Sequence, residues 1–503
     1  MLQSSMNFRL KVPAAAAAWL LLLTTSAGCA DTAPAISHGR AALDQFVTRE
    51  MAARHIPGLS IAVVQNGRLV MAQGYGTANV ELASPATPKT VYCLASLSKQ
   101  FTAAAILLLA QDGKLSLDSP AAQLLPSLKL PDSWDTITVR ELLNQTSGLP
   151  NYTALANTDT NTDPFLKDYT PSEIIRLIAS RPLAFAPGAR FEYSNTNYYL
   201  LARIVQTVSG KPLPAFLQQR IFQPLGMTST GEFDQSAIRP GRAARYLWMG
   251  GKLLNDCFDS SPSFREGAGG IESSALDMAK WDSALDTSFP LTAASKRLMW
   301  TAPKLSSPPP AYRYGFGWVV DTYNQRPMIW HNGELPGATC WMGRFPESHL
   351  TVIVLCNLLD VDSEISAVGR FAQIGEWVAG YYDPMLKPSN WRGTTIRSGH
   401  SSTIDPADLA VCRKAFQDIA AGAAEPSMYT DSTAKALFPT AIEQTRAIFQ
   451  SLGKLEQVEP LGERAEQGSH VVTCRAVFTG GNLTYDVYLE AGTRKIMGIL
   501  PQR

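Results

Sequence analysis

The sequence predicts an α/β fold: one antiparallel sheet flanked by helices, an inserted all-helical lobe, and a small C-terminal α+β domain. Three observations carry this. Strand signals cluster at both ends of the first 380 or so residues, while residues 115 to about 300 are mainly helical and loop-rich. A sheet assembled from both ends, with the insert as a second lobe, is the simplest way to bury those apolar faces. A turn-rich segment at 385–404 (Pro388-Ser-Asn, Arg392-Gly-Thr-Thr, Ser398-Gly-His) then separates a last block, in which helical patterns precede alternating runs. At 503 residues the chain exceeds one ordinary core, so more than one domain is expected.

Residues 1–30 stand apart. Arg9 and Lys11 precede the short apolar stretch Val12–Leu23, and small residues follow to Ala30. That is the pattern of a secretory signal peptide, too short for a permanent membrane span. Ser26-Ala-Gly-Cys29 resembles a lipobox, in which the cysteine becomes a lipidated N-terminus and anchors the chain to a membrane. Ser26 stands where Leu or Val is usual, and ordinary cleavage near Ala30 is the alternative. Either route exports the chain, which implies a periplasmic location. Export permits disulfides. Cys340 and Cys356 flank a turn and face each other unless the register slips by one residue; Cys412 and Cys474 fall together in the C-terminal block.

The body of the chain (31–384) opens with an amphipathic helix over 36–55 that Pro57-Gly58 stops. Leu59–Val64 and Leu69–Ala72 read as a hairpin closed by Asn66-Gly67. Further strands are expected at Tyr314–Val320, Met328–His331, Ala338–Phe345 and Leu350–Asn357, then a helix at about 361–380. Beyond the linker, the domain at 405–503 reads as helices near 406–421 and 439–452. Strands follow near 455–460, 469–478, 483–490 and 495–500.

The chemistry centres on Val91–Ala110. From Phe101 onward this stretch is apolar for a whole helical run, and Ser96 and Lys99 sit three residues apart at its polar head. A lysine desolvated beside a serine loses its preference for the charged form, and its amine can accept the serine proton. Ser-x-x-Lys also occurs at Ser432-Lys435 and Ser451-Lys454, but neither opens a long buried helix.

Acyl transfer further needs a proton route to the leaving group and a wall for the substrate. Tyr193-Ser-Asn195 offers a phenol and an amide, two apart on one side of an extended segment. The bland alternative is a tyrosine packed on Pro187-Gly188 with Asn195 capping a helix at 197–209. His331-Asn-Gly333 precedes a strand. Gly333 admits close approach of backbone, and His331 supplies a hydrogen bond or, when protonated, attracts a carboxylate. The bland alternative there is a polar turn. The histidines form no cluster, and no metal site is expected.

Taken in order, Ser96-Leu-Ser-Lys99, Tyr193-Ser-Asn195 and His331-Asn-Gly333 resemble the motifs of the serine β-lactamase and penicillin-recognising family. The likeness is to its class C, DD-peptidase and esterase branch. It extends through Pro187–Asn195, Phe222–Thr228, Gly269–Trp281 and Tyr314-Gly-Phe-Gly-Trp318, covering roughly residues 36–380. The resemblance implies a β-lactamase-like sandwich, Ser96 as the acylated nucleophile, and Lys99 and Tyr193 as acid/base partners. Asn195 becomes the substrate-amide contact, and the backbone N–H groups of Ser96 and Glu334 the oxyanion hole. No cofactor is implied. His331 stands where class C enzymes have Lys, Gln145 where the family often has His, and Asn332 and Glu334 where Thr and a small residue are common. The acidic Glu334 disfavours a substrate carboxylate, which ranks a peptidase or esterase above an efficient β-lactamase.

The chain carries 44 Lys+Arg against 43 Asp+Glu, a net charge of +1 that argues against nucleic acid as partner. A small-molecule or peptide substrate is expected, and nothing in the sequence fixes the oligomeric state. The competing reading from another class is a non-catalytic penicillin-binding-like receptor for peptidoglycan or a partner. A receptor has no need of the base Lys99.

Overall fold

Helix α1 (Ser37–Ala53) buries Leu43, Phe46, Val47 and Met51 along one side, the i, i+3, i+4 pattern of a surface helix. Strands β1 (Gly58–Gln65) and β2 (Arg68–Asn79) follow as a hairpin, and β3 (Ser84–Pro85) pairs beside them. Asn66 and Gly67 both have positive φ, +52° and +69°, as the tight primed turn requires. This computed structural model describes residues 37–155, 167–234, 236–256, 261–305, 313–361, 367–388 and 405–501 apart from 439, 452, 467–468, 480 and 491. The expected signal segment with Cys29, most of the expected linker, and Cys257 lie outside the described residues.

Helix α2 (Lys99–Gln111) is buried from Lys99 through Leu109. A helix apolar all round belongs in a core. Each fully buried Leu, Ile or Phe on it contributes about 1.5–3 kcal/mol by leaving water.

The inserted lobe departs from the expected all-helical form. It carries β5 (Gly231–Glu232), β6 (Tyr246–Met249), β7 (Lys252–Asn255) and β8 (Ile271–Ser274) alongside helices α3 (Asn195–Ser209) and α4 (Ala275–Leu285), and β4 (Val91–Cys93), which precedes α2, pairs with β8. The β6–β7 hairpin turns on Gly250-Gly251, both at positive φ. That turn signal outweighs the helical surroundings.

The chain then returns as β9 (Arg313–Tyr314), β10 (Val319–Tyr323), β11 (Arg326–Leu335), β12 (Ala338–Phe345) and β13 (Leu350–Cys356). The sheet runs β3-β2-β1-β13-β12-β11-β10-β9, antiparallel throughout and built from both ends of the domain as expected. A last strand, β14 (Leu358–Asp360), pairs in parallel with β6. Helix α5 (Ala367–Tyr382) closes the domain, and its Trp377 stacks on Phe46 of α1 at 4.8 Å.

Side-chain alternation along β12 separates the two faces. Trp341 lies under Gly375 of α5, while its neighbour Met342 meets Gln100 of α2 at 3.9 Å. Adjacent strand residues point oppositely, so α2 and α5 cover opposite faces. Met342 pairs with His331 on β11, which puts His331 on the α2 face.

Two expectations about this sheet change. The strand expected over 314–320 breaks at Gly315–Trp318, where Gly315 N–H bonds the Trp318 carbonyl at 2.8 Å. Gly317, at φ +78°, rests so close to the start of α2 that a Cβ would lie 2.8 Å from the Lys99 carbonyl oxygen. Residues 331–333, expected to precede a strand, lie within β11.

The C-terminal block has its own core, in which Phe416, Phe449, Cys474 and Val487 meet. It contains α6 (Pro406–Ala421), α7 (Asp431–Leu437), α8 (Thr440–Ser451) and a sheet in the order β15 (Leu455–Glu466), β16 (Ser469–Phe478), β17 (Gly481–Glu490), β18 (Ile496–Pro501). The short α7 was not expected and carries the Ser432/Lys435 pair. Cys340 pairs with Leu355 and Thr339 with Cys356, the one-residue slip, so Cys340 and Cys356 are separate buried thiols. Cys412 and Cys474 are also free thiols, buried in the core of this block.

Candidate active site

Ser96 sits in a 3-10 turn (Ala95–Ser98) that feeds directly into α2. Ala95 has φ +47°, a left-handed strain that an alanine adopts only when its surroundings enforce it. Those surroundings are Leu94, whose N–H bonds the Ile271 carbonyl of β8 at 2.8 Å, and Ser98, whose Oγ accepts the Ile271 N–H at 3.0 Å. Ser96 is thus pinned on both sides to one strand.

Lys99 Nζ has three partners: Ser96 Oγ at 3.1 Å, Asn195 Oδ1 at 2.8 Å and the Ala268 carbonyl at 2.8 Å. It is fully buried, and burial holds its pKa well below the ordinary lysine value. A neutral amine has two N–H donors and one lone pair. Asn195 Oδ1 and the Ala268 carbonyl can only accept, so they take the two N–H groups, and the lone pair is left for the Ser96 proton.

Tyr193 lies across from it. Its phenol donates to Ser96 Oγ at 2.9 Å, and burial pushes its pKa above the usual tyrosine range. A phenol that resists ionisation stays a proton donor. Its ring also stands 4.8 Å from Lys99 Nζ. Asn195 neither shares an extended segment with Tyr193 nor caps a helix at 197–209; it is the first residue of α3, after an extended Ser194 at φ −140°. Its Oδ1 holds Lys99 and its Nδ2 faces Thr153 Oγ1 at 3.4 Å.

Gln145 braces this segment. At φ +64° its carbonyl accepts the Glu192 N–H at 3.0 Å, while its side-chain oxygen accepts the Ser194 N–H at 3.0 Å and a second bond from Asn197 Nδ2. The sequence marked this position only as a departure from His.

Strand β11 closes the other side. Pairing with β10 ends at Trp330, so residues 331–335 of β11 run on past the end of β10. A Cβ on Gly333 would lie 2.1 Å from the Leu94 carbonyl and 3.0 Å from Ser96 N. Only glycine lets this edge reach the nucleophile's turn, and it puts the Glu334 and Ser96 backbone on a common mouth. Ser96, Asn195, Glu334, Thr153, Arg265 and Gly269 are among the residues lining a cavity of about 80 Å³.

His331 is buried and differs from expectation. Burial, with the charge of Lys99 whenever it carries one, holds the imidazole down to about 3 against a smaller upward pull from the Asn332 carbonyl. It is neutral near pH 7, so it offers no cation to a substrate carboxylate. Tyr314, which the sequence placed only in a Tyr-Gly-Phe-Gly-Trp run, sits 2.8 Å from His331 Nε2. No cluster suited to a metal ion occurs among the described residues.

A buried amine and a phenol converge on one serine hydroxyl, in a cleft between a sheet edge and a mainly helical lobe, an arrangement suited to a serine hydrolase. The β-lactamase family model matches residues 43–370, and the chain belongs to that family, within the serine β-lactamase and penicillin-binding protein superfamily of hydrolases. It is 31% identical over 327 residues to protein flp of Staphylococcus aureus (strain N315), covering 63% of this chain and 62% of flp. The chain therefore matches somewhat less than two thirds of that relative's length. The D-amino acid amidase from Ochrobactrum anthropi SV3 superposes with TM-score 0.59 at 26% identity, covering 70% of this chain and 99% of the amidase. The octameric penicillin-binding protein homologue from Pyrococcus abyssi shares the fold over 92% of this chain and 98% of its own, with TM-score 0.61 at 22% identity.

Proposed function

We propose that this chain hydrolyses amide or ester bonds through an acyl-enzyme on Ser96, as a peptidase, amidase or esterase rather than an efficient β-lactamase. Lys99 takes the Ser96 proton, and Oγ adds to the substrate carbonyl. The backbone N–H groups of Ser96 and Glu334 receive the oxyanion. Tyr193 gives its proton to the leaving group as the C–N or C–O bond breaks, and Lys99 reprotonates the phenoxide. Water then repeats the cycle on the acyl-enzyme, which releases the acid and restores the Ser96 hydroxyl. The observation that carries this reading is the Lys99 arrangement: two pure acceptors occupy its N–H groups and leave its lone pair on Ser96. The similarity to a D-amino acid amidase supports a D-aminoacyl amide or peptide as substrate.

The test is intact-protein mass after exposure to a penicillin and to an activated ester, with Ser96→Ala alongside. An adduct on the wild type alone supports the reading. No adduct and no turnover of either compound overturns it. We extend the proposal to export, on the pattern of Arg9, Lys11 and Val12–Leu23. The mass of the mature N-terminus distinguishes lipidation at Cys29 from cleavage near Ala30.

A further inference from the structure

The side of the cleft from which the leaving group departs follows from its proton donor. Tyr193 hydrogen-bonds Ser96 Oγ and must reach the departing atom, so the leaving group lies toward Tyr193. The acyl group then takes the cavity lined by Ser96, Thr153, Phe264, Gly269 and Glu334, which Tyr193 does not line. Around Tyr193 the wall is aromatic. Its ring meets Tyr314 edge-on at 6.0 Å and His331 at 6.3 Å, and Phe191 leans on Tyr314 at 5.8 Å.

Asn332 pairs with Trp341 and so faces away from α2, which leaves His331 as the third-motif side chain on this wall able to offer an N–H, and both its ring nitrogens are already engaged. Nδ1 lies 2.6 Å from the Asn332 carbonyl, which can only accept, so Nδ1 carries the proton. In the neutral ring Nε2 is then an acceptor, and Tyr314 donates its O–H to it at 2.8 Å. Were the ring charged, Nε2–H would still point at the Tyr314 oxygen. In neither state does His331 have a free N–H for a ligand. Two arginines neighbour this wall in sequence. Arg313 alternates with Tyr314 on β9 and is exposed where Tyr314 is buried, so it faces away. Arg190 is paired with Glu192 at 3.1 Å and lies over Phe185.

We infer that the leaving-group side of this site takes uncharged leaving groups and rejects those bearing a carboxylate, with Tyr314 the positioning residue that occupies His331. This rests on the serine-hydrolase reading and narrows its substrate class to amides, esters and peptides whose departing part is neutral. A carboxylate brought against Phe191, Tyr193 and Tyr314 loses its water without gaining a paired donor, which is costly.

The experiment compares two thiolesters of one D-alanyl group, one on mercaptoacetate and one on mercaptoacetamide, by thiol release and by the mass of the Ser96 adduct. They differ only in the charge of the leaving group. Acylation by the mercaptoacetamide ester is expected to be at least about tenfold faster in kcat/KM, a difference of about 1.4 kcal/mol. Equal or faster acylation by the mercaptoacetate ester, still lost in Ser96→Ala, overturns the inference and leaves the hydrolase reading standing. Failure of both esters to acylate Ser96 overturns the hydrolase reading and the inference together. In Tyr314→Phe, Nε2 is released, and a carboxylate leaving group can pair with Nε2–H once the ring takes a second proton, so the ratio is expected to narrow toward acid pH, which a merely structural role would not produce. A folded Tyr314→Phe with an unchanged ratio overturns the role given to Tyr314, and the wild-type comparison decides the substrate class should that variant not fold.

Discussion

Lys99 Nζ and Asn195 Oδ1 lie 2.8 Å apart, a contact that suits the buried lysine to the base role proposed for it. Asn195 can take an N–H from the amine but cannot neutralise an ammonium. Burial therefore decides the protonation state, and the charged form loses. A partner carboxylate would have reversed that outcome by raising the lysine pKa.

A stability signature follows from the same burial. In the unfolded chain Lys99 titrates near 10.4, and in the folded chain its pKa is depressed. Between those values the unfolded state binds more protons, so this group makes folding more favourable as pH rises, by up to about 1.4 kcal/mol per pH unit. Lys99→Met lacks the term. The stability of the wild type relative to Lys99→Met is expected to increase with pH across that window and to level off above it, read by urea denaturation at several pH values. Activity of Lys99→Met is expected to fall by about 10²–10⁴ for want of the base.

Tyr193→Phe separates proton donation from nucleophile activation. The variant keeps Lys99 and Ser96 but loses the O–H that stands 2.9 Å from Ser96 Oγ. For amide substrates, whose amine must be protonated to leave, kcat is expected to drop about 10²–10⁴-fold. Nitrophenyl esters, whose leaving group departs as an anion, should lose much less. Equal losses on both substrates would mean that Tyr193 acts on the nucleophile alone.

The convergence of Ser96, Lys99, Tyr193 and Asn195 was legible in the sequence because their signals are local. Ser96 and Lys99 are three apart at the head of an apolar helix, and Tyr193 and Asn195 are two apart. The hairpin at Asn66-Gly67 and the two-ended sheet were legible for the same reason, since turn residues and apolar runs announce themselves. What escaped depended on register and on distant contacts. The Cys340–Cys356 slip follows from which residue of β12 faces which of β13, and a two-residue period does not fix that. The neutral state of His331 comes from burial and from Lys99, and its Nε2 contact comes from Tyr314, seventeen positions upstream; none of these marks the His-Asn-Gly run. The break at Gly315–Trp318 reflects a glycine pressed onto Lys99, over two hundred residues earlier in the chain.

Gln145 is expected to matter as a brace. Its backbone and side chain together hold Glu192, Ser194 and Asn197, so its loss should loosen Tyr193 and Asn195. Gln145→Ala gives up these side-chain bonds, at about 1–3 kcal/mol for the groups left unpaired, and keeps the strain of φ +64°. Gln145→Gly gives up the same bonds but relieves about 1–2 kcal/mol of left-handed strain. The glycine variant should therefore be the more stable of the two by thermal unfolding, with both impaired in kcat. An alanine variant as stable as the glycine one would remove the strain from this account.

Gly333→Ala tests the approach of the sheet edge to the nucleophile. A methyl at this position would meet the Leu94 carbonyl at 2.1 Å and the Cys340 sulfur at 2.8 Å. The first is backbone of the turn that carries Ser96, and the second is a thiol that donates to that same carbonyl at 2.9 Å. Neither can yield without moving β11 away from Ser96, which spreads the two backbone N–H groups proposed for the oxyanion. Losing one such donor costs about 10²–10³ in kcat, and Gly333→Ala is expected to fall in that range or below it. Substrate binding should suffer less than kcat, because the acyl cavity is lined largely by residues off this strand, such as Thr153 and Phe264. If instead KM rises while kcat stays unchanged, the β11 edge serves to hold substrate and the oxyanion lies elsewhere.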